Sequence, residues 1–310
     1  MKIKTKTATV LVMAIVITGC GSDMVETQPG TDMVPVEVSD VLSVGADISI
    51  SRASSAITTN GAKIGVFRAA NTGYTAQDNV LFTYSSSSGK WTATTNPILV
   101  GDQAAVLSAY YPYGSATISG ETATLDAQKY DSAKDLSYAT TSSNTVTNQN
   151  PNANFAMKHA YARIKMSIKR HTTNYSGNCN VSTVTLKNNT NFYASKTLNI
   201  KTGSYGGSAA SGGWTYTLNT GNMGAGATNS AYDVLIPPQP VNSGLTITLT
   251  VDGVDRSVTI SAASFSSNLN AGSEYSISLV LTDTEVSPNG SVNIADWATD
   301  NTSIGGDVTV

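Results

Sequence analysis

Cysteine, histidine and charged side chains are scarce in this 310-residue chain, and their scarcity excludes several classes of protein. Two cysteines cannot build a disulfide framework, and two histidines leave little material for a metal centre or a histidine-based catalytic site. Charged residues make up 13% of the sequence, against about 25% in an average soluble domain. The 18 basic and 21 acidic residues provide no basic stripe for phosphates, so we expect no nucleic-acid partner. The composition argues against most enzymes.

Motifs that carry catalysis or hold cofactors are also missing. His159 and His171 have no HExxH, CxxC or matched carboxylate between them, so we interpret them as ordinary structural histidines. The pair Gly224 and Gly226 lacks the third glycine of a phosphate cradle, and no GxSxG elbow places a serine nucleophile. We therefore predict no catalytic residue, no metal and no cofactor.

A single short apolar run, residues 8–18, lies near the N-terminus behind three lysines within the first six residues. About 18 or more apolar residues would be needed to span a bilayer, so residues 1–19 are predicted to be a signal peptide. Small residues precede Cys20 in a pattern that resembles a bacterial lipobox, in which the cysteine is acylated and becomes the new N-terminus. We predict a lipid anchor at Cys20, which leaves Cys179 as a buried or inert thiol.

The rest of the chain reads as short strands separated by turn residues. Residues 20–43 are predicted to be a flexible tether because they combine prolines with acidic and amide side chains. A strand with period two follows in residues 44–52, in which apolar side chains alternate with small or polar ones. Its apolar members are Val44, Ala46, Ile48 and Ile50.

No segment longer than about ten residues shows a 3.6-residue period, so the sequence predicts an all-β fold of two sandwich-like domains. The clearest hairpin joins 245–251 to 254–260 through Asp252-Gly253, a strong two-residue turn signal. The polar stretch 137–154 is the best candidate linker. The predicted domains are therefore residues 44–150 and 151–297, followed by a tail of residues 298–310.

Three features leave other functions open. The 14 tyrosines suit a glycan-binding surface, although half-buried strands favour tyrosine as well. Two acidic residues of a glycan hydrolase could come from distant loops. Asp131-Ser132-Ala133 resembles a short acceptor for O-glycans described in Bacteroidetes.

Several short motifs, in this order, resemble the fimbrillins of Bacteroidales, the subunits of type V pili. They span most of the chain. The matching pieces are the lipobox at Cys20, the strand ending Ile50-Ser51-Arg52, Lys63-Ile-Gly-Val-Phe67, Tyr110-Tyr-Pro-Tyr113, Phe155-x-Met-x-His159-Ala, Ala271-Gly-Ser-Glu-Tyr275 and Ile294-x-x-Trp297.

The resemblance implies two transthyretin-like β-sandwich domains in tandem, and it implies an order of export, cleavage and assembly. Family members are exported as lipoproteins to the outer membrane, and an arginine-specific protease then cuts after the first strand, which by position is the bond between Arg52 and Ala53. Loss of residues 20–52 would displace this first strand and open a hydrophobic groove, with unpaired edges, where Val44, Ala46, Ile48 and Ile50 had packed. The C-terminal strand of another fimbrillin subunit would fill this groove and build a filament that supports adhesion to a host or bacterial surface.

The tail offers material for such a donor strand. Val308 and Val310 alternate with polar residues, and Ile304 precedes a glycine pair that could act as a hinge. Cleavage after Arg52 would leave 14 basic and 15 acidic residues, close to neutrality, which lowers repulsion between stacked subunits. The alternatives are a tip or anchor fimbrillin that does not polymerise, and a monomeric surface lipoprotein that binds glycans.

Overall fold

The computed structural model describes residues 34–43, 55–93, 95–141, 145–188, 191–207 and 211–297, and these are almost entirely β. The all-β class predicted from the sequence is confirmed. Within the described residues the one helical element is a 3₁₀ turn, and no helix there is long and apolar enough to cross a membrane. The architecture follows from the alternation of apolar and polar residues, which suits strands with one buried face.

The strands are numbered in chain order. Those of the first half are β1 (Val34–Pro35), β2 (Glu37–Ser43), β3 (Ser55–Ala56), β4 (Lys63–Arg68), β5 (Gln77–Ser85), β6 (Lys90–Thr92), β7 (Leu99–Val100), β8 (Leu107–Tyr111), β9 (Thr117–Ser119), β10 (Thr122–Asp126), β11 (Gln128–Lys129), β12 (Ser137–Ala139) and β13 (Asn152–His159).

The second half continues the numbering. Its elements are β14 (Ala162–Arg170), β15 (Val181–Lys187), β16 (Ser195–Asn199), β17 (Tyr205–Gly206), β18 (Trp214–Thr217), β19 (Thr228–Ile236), β20 (Gln239–Pro240), β21 (Leu245–Val251), β22 (Val254–Ile260), a 3₁₀ helix (Ala262–Phe265), β23 (Asn268–Leu269), β24 (Ser273–Leu281), β25 (Val286–Pro288) and β26 (Asn293–Asp296).

The first half forms a sheet that closes on itself, which we call the ring. Its strand order is β13-β12-β8-β4-β5-β6-β2-β3, and an additional pairing joins β13 to β2. Neighbouring ring strands are antiparallel except for β2 and β13, which run parallel. The buried side chains inside the ring come from residues between Val36 and Met157.

The second half is a two-layer sandwich. One layer has the order β11-β19-β14-β24-β25, with β26 also on β24, and the other has the order β18-β15-β21-β22. Apolar side chains from both layers form one core, which contains for example Ile164 and Leu249, each fully buried. Since alternate residues of each strand point to the same face, period-two strands such as 245–251 supply that core directly.

A third core lies where the two halves meet. It combines side chains of the ring with side chains of the small sheet β17-β16-β10-β9 and of the sandwich. Trp297, the last described residue, is 1% exposed and belongs to this core. The described residues after Thr31 fall in a single compact unit.

Several strands expected from local pattern are present among the described residues, whereas the predicted strand of residues 44–52 lies outside them. The hairpin of β21 and β22 turns at Asp252 and Gly253, whose φ angles of 50° and 81° are the left-handed values that the Asp-Gly turn requires. Lys63-Ile-Gly-Val-Phe67 lies in β4, which pairs with β8 of the Tyr-Tyr-Pro-Tyr element.

Two segments differ from the sequence prediction. Residues 34–43, assigned to a tether, contain the paired strands β1 and β2, since Val34, Val36 and Val38 alternate across the proline and the acids. The stretch 137–154, interpreted as a linker, contains β12 and the start of β13 because buried Tyr138 and Val146 anchor it. The last strand of the ring, β13, ends at His159.

Candidate functional site

The residues predicted to be processed or exchanged lie outside the described residues and stay predictions. They are Cys20, Val44, Ala46, Ile48, Ile50, Arg52, Ala53, Ile304, Val308 and Val310. The structure describes the chain on both sides of the proposed cut, since β2 ends at Ser43 and β3 begins at Ser55. It also describes the residue that precedes the tail, Trp297.

Strand β2 of the ring and strand β1, which pairs with β7 in a separate two-stranded sheet, together occupy a position that we call the β1–β2 seat. The seat is formed by β7, which pairs with β1, and by β6 and β13, which flank β2. Between the two strands the amide of Val36 donates to the carbonyl of Ile98 at 2.8 Å. The register against β6 is a single pair, Val38 opposite Trp91. Closure of the ring therefore depends on a segment that precedes Arg52.

The ladder between β2 and β13 is the longest contact in the seat. It runs parallel from Asn152 opposite Glu37 to Met157 opposite Ser43, with a register shift between Ala153 and Asn154. Parallel ladders are slightly less stable per residue than antiparallel ones. The pairing also joins residues more than a hundred positions apart in sequence, so local hairpin geometry contributes nothing to it.

The seat is lined by apolar side chains of the ring core. Ala153, Phe155 and Met157 alternate along β13 with more exposed neighbours and are fully buried, and Trp91 of β6 is 2% exposed. Val36, between β1 and β2, packs in the same core. Loss of the two strands would expose this apolar lining together with unpaired backbone of β13 and β7.

The four arginines in the described residues are held within the fold. Arg68 is 1% exposed and donates to the carbonyls of Thr75 and Leu99, the latter on the strand that pairs with β1. Arg163 is 3% exposed and bonds both carboxylate oxygens of Asp233 at 2.9 and 2.7 Å.

The remaining two arginines also lie in strands. Arg170 donates to the carbonyls of Met223 and Tyr175 at 2.6 and 2.8 Å. Arg256 donates to the carbonyl of Asp283 at 2.9 Å. A protease that needs an extended, accessible arginine would have to break strand pairing at each of the four, so the fold protects them.

A second polar cluster lies at the meeting point of ring and sandwich, at the end of β13. The His159 ring stacks on Trp297 with centroids 4.1 Å apart and an interplanar angle of 3°. Its Nδ1 lies 3.0 Å from the carboxylate of Asp135. The Arg163 guanidinium lies over the rings of Tyr130 at 3.7 Å and of Trp297 at 5.4 Å. The sequence alone predicts an ordinary structural histidine at position 159 and gives no indication of this contact, because no local pattern links residues so far apart.

Cys179 is fully buried, as the sequence analysis expected. Burial raises the pKa of its thiol, with a smaller opposing effect from Arg170, so the thiolate that reacts with disulfides or metals is disfavoured. Within the described residues no cluster of three or more histidine, cysteine or acidic side chains could hold a metal.

Aromatic side chains do not form an exposed patch in the described part of the chain. Tyr113, at 37%, is the one aromatic residue there that is exposed, and the others are buried or half-buried. A glycan-binding surface would need several exposed rings close together.

The comparisons with known proteins agree with this geometry. A family model described as Fimbrillin-like matches residues 51–297. The fold is similar to a candidate cell adhesion protein of Bacteroides uniformis, with 19% identity, a TM-score of 0.61, and 85% of this chain and 99% of the other covered. A candidate cell adhesion protein of Bacteroides ovatus gives 16% identity and a TM-score of 0.58, with 87% and 100% covered.

A fimbrial protein of Bacteroides vulgatus has 14% identity and a TM-score of 0.53, with 85% of this chain and 100% of the other covered. At such identities the likeness establishes the fold alone. No curated protein matches the chain. The family match covers most of the sequence, including the lining of the β1–β2 seat and the Trp297 contact, and the chain therefore belongs to the fimbrillin-like family.

Proposed function

We propose that this protein is a structural, non-catalytic subunit of a cell-surface fimbria that supports adhesion. In this proposal it is exported as an outer-membrane lipoprotein acylated at Cys20, cut by an arginine-specific protease between Arg52 and Ala53, and then polymerised with other fimbrillin subunits. The partner subunit inserts its C-terminal strand, with Ile304, Val308 and Val310, into the vacated seat.

The position of β1 and β2 carries the proposal. Both strands precede Arg52 in the chain, both pair with strands that follow it, and β3 begins three residues after the cut. A single cleavage would therefore separate a seated segment from the rest of the ring without breaking any other strand. An emptied site with an apolar lining and unpaired edges accepts an added strand.

The positions of the chain's other arginines support Arg52 as the cleavage site. The chain's other arginines, at 68, 163, 170 and 256, lie in strands and are bonded within the fold. An arginine-specific protease acting on the folded precursor would meet Arg52 in the connection between β2 and β3. A heterologous contact in which each subunit donates and accepts one strand does not close, so it propagates into a filament.

The test is the mass and N-terminal sequence of material sheared from the cell surface, with the size distribution of the unboiled sample. We expect a chain beginning at Ala53 in high-molecular-weight ladders. Arg52→Ala should abolish both, and Arg52→Lys should do the same while it keeps the charge. Ala53→Ser serves as the control that leaves the arginine in place and should still give ladders.

A chain that ends after Trp297 separates donation from cleavage. It should still be cut after Arg52 but should no longer form ladders, because it has no strand to donate. A lipid-modified chain that begins at Cys20 and remains monomeric would overturn the proposal. That result would favour a tip or anchor fimbrillin, or a glycan-binding lipoprotein.

A further inference from the structure

Strand β13 belongs both to the β1–β2 seat and to the contact around Trp297. Residues Asn152 to Met157 pair with β2, and Lys158 and His159 pair with Tyr138 and Ser137 of β12. Among the described residues no other strand pairs with 152–157. The backbone order of most of β13 therefore depends on a strand in the seat.

His159 lies two residues beyond the end of that ladder. It is 3% exposed, its Nδ1 is paired with Asp135, and its Nε2 has no hydrogen-bond partner within the described structure. A buried polar atom without a partner is unfavourable. The stacking of the His159 imidazole on the Trp297 indole is therefore a contact that favours this position of the side chain. Because His159 is the last residue of β13, the position of β13 determines whether its imidazole can stack on Trp297.

On its other side Trp297 contacts residues that do not depend on the seat. Arg163, on β14, is fixed by Asp233 and lies over the indole ring. The Trp297 amide donates to the carbonyl of Gly272 at 2.8 Å. The strand before it, β26, has four exposed side chains, so burial of the indole is the main side-chain anchor at this end of the described chain.

We propose that β13 couples these two places, so that Trp297 stays buried against His159 only while a strand occupies the β1–β2 seat. When the seat empties, β13 loses the ladder along 152–157 and His159 no longer holds the indole. Refilling of the seat restores both. Coupling of this kind is reciprocal, so loss of the Trp297 contact also weakens retention of β2.

This inference deepens the proposed function and rests on it for the emptying and refilling of the seat. Residues 298–310, the proposed donor strand, follow Trp297 directly. In a precursor with an occupied seat Trp297 would stay buried, whereas in a processed subunit Trp297 would be released. Cleavage would then make one subunit both an acceptor and a donor.

The chain contains three tryptophans, which allow the coupling to be tested in the full-length protein. Trp91 lies in the seat, Trp297 lies at the coupled contact, and Trp214 of β18 lies in the sandwich and serves as the internal control. We would label the protein with 5-fluorotryptophan, assign the three ¹⁹F resonances by Trp→Phe variants, and measure the shift between H₂O and D₂O as a report of exposure.

The double variant Val38→Pro, Val41→Pro removes backbone donors from β2, and Val38→Thr, Val41→Thr is the matched control that keeps them. With the prolines we expect a several-fold larger solvent isotope shift at Trp91 and at Trp297, and no change at Trp214. With the threonines all three resonances should stay in place. His159→Gln should expose Trp297 in an otherwise unaltered chain and also increase the isotope shift at Trp91.

Three results would overturn the coupling. In the first, Trp91 shifts and Trp297 does not. In the second, Trp214 shifts as much as the other two, which indicates general loosening. In the third, the prolines leave Trp91 unchanged, so that the seat does not depend on β2. Fimbrial ladders are measured separately. If the chain forms ladders but the isotope shift at Trp297 does not change when the seat is emptied, only the coupling is overturned. If Trp91 and Trp297 respond together but the chain is never cut after Arg52, only the proposed function is overturned.

Discussion

The ring and the sandwich are both all-β, but they are closed in different ways. In the sandwich, every residue from Arg163 to Arg170 pairs with the run from Glu274 to Leu281, and β21 pairs along its whole length with β22. In the ring, β2 meets β6 through one residue pair and meets β13 through a shifted parallel ladder. The strands of the sandwich all follow Arg52 in the chain, whereas the ring is closed by a segment that precedes Arg52.

Side chains on the outer face of the sandwich reinforce the difference. Hydroxyl groups face each other across strands, as in Thr183 with Thr250 and Thr246 with Thr259, each at 2.8 Å. Cross-strand pairs of this type contribute roughly 0.2–1 kcal/mol each. Paired hydroxyl groups thus reinforce the sandwich, and in the proposed function it is the ring that loses an element.

The largest expected consequence of this comparison is a difference in local stability. We expect backbone amides of β14 and β24 to exchange with solvent only through global unfolding, and amides of β2 and of residues 152–157 through local opening that requires roughly 5 kcal/mol less. Native-state hydrogen exchange measured by mass spectrometry would show this difference. Equal protection in the two regions would contradict it, because the ring would then be as firmly closed as the sandwich.

A matched pair of core truncations should sharpen the same comparison. Phe155 in β13 and Phe265 in the 3₁₀ helix are both fully buried, one beneath the seat and one in the sandwich. Either change to alanine removes about 3–5 kcal/mol of packing. With Phe155→Ala we expect much of the loss to appear as faster exchange of β2, whereas Phe265→Ala should lower global stability and leave the relative protection of β2 unchanged.

The check is hydrogen exchange of both variants beside their denaturant unfolding curves. If Phe155→Ala destabilises β14 and β24 as much as it does β2, the seat is not a separate unit of stability. If Phe265→Ala instead speeds exchange of β2 selectively, packing of the sandwich core controls the retention of β2, which contradicts the expected independence of the two regions.

Local sequence patterns predicted the strands whose partners are close in sequence. The hairpin at Asp252-Gly253 is an example, since alternation sets its faces and the turn residues set its register. The pairing of β4 with β8 joins segments that are further apart in sequence and depends on steric fit. A side chain at Gly65 would meet the ring of Tyr110, so both motifs depend on each other.

The features that carry the proposed function could not be found in this way. The pairing of β2 with β13 joins segments that are distant in sequence. Pro35 and the acidic residues of 37–43 are typical of a flexible tether, so the sequence did not indicate strands β1 and β2. The stack of His159 on Trp297 likewise depends on tertiary structure. Lipidation at Cys20, cleavage at Arg52 and donation by residues 304–310 remain predictions, argued from the resemblance and from the position of the seat.

The smallest expected effect concerns acid and the end of the sandwich. Asp252 accepts hydrogen bonds from the Tyr175 hydroxyl and from the amides of Cys179 and Asn180 at 2.8, 2.8 and 2.9 Å. Partial burial raises the pKa of Asp252, but these bonds and Arg256 outweigh it and leave the pKa below its usual value. The carboxylate therefore adds stability above its unfolded pKa of about 4 and loses it as the pH falls through the lower, folded pKa.

We expect Asp252→Asn to lower the unfolding temperature at neutral pH and to flatten its decline on acidification. Since the carboxylate is exposed and screened by solvent, the change in free energy should be under about 1 kcal/mol. Asp255→Asn, in the same hairpin, removes the same charge without these three bonds and serves as the control. Thermal unfolding between about pH 2 and pH 7 measures both variants. An equal effect of the two would mean that net charge matters here and the bonded carboxylate does not, whereas an effect confined to Asp252 would show that its three hydrogen bonds stabilise this end of the sandwich.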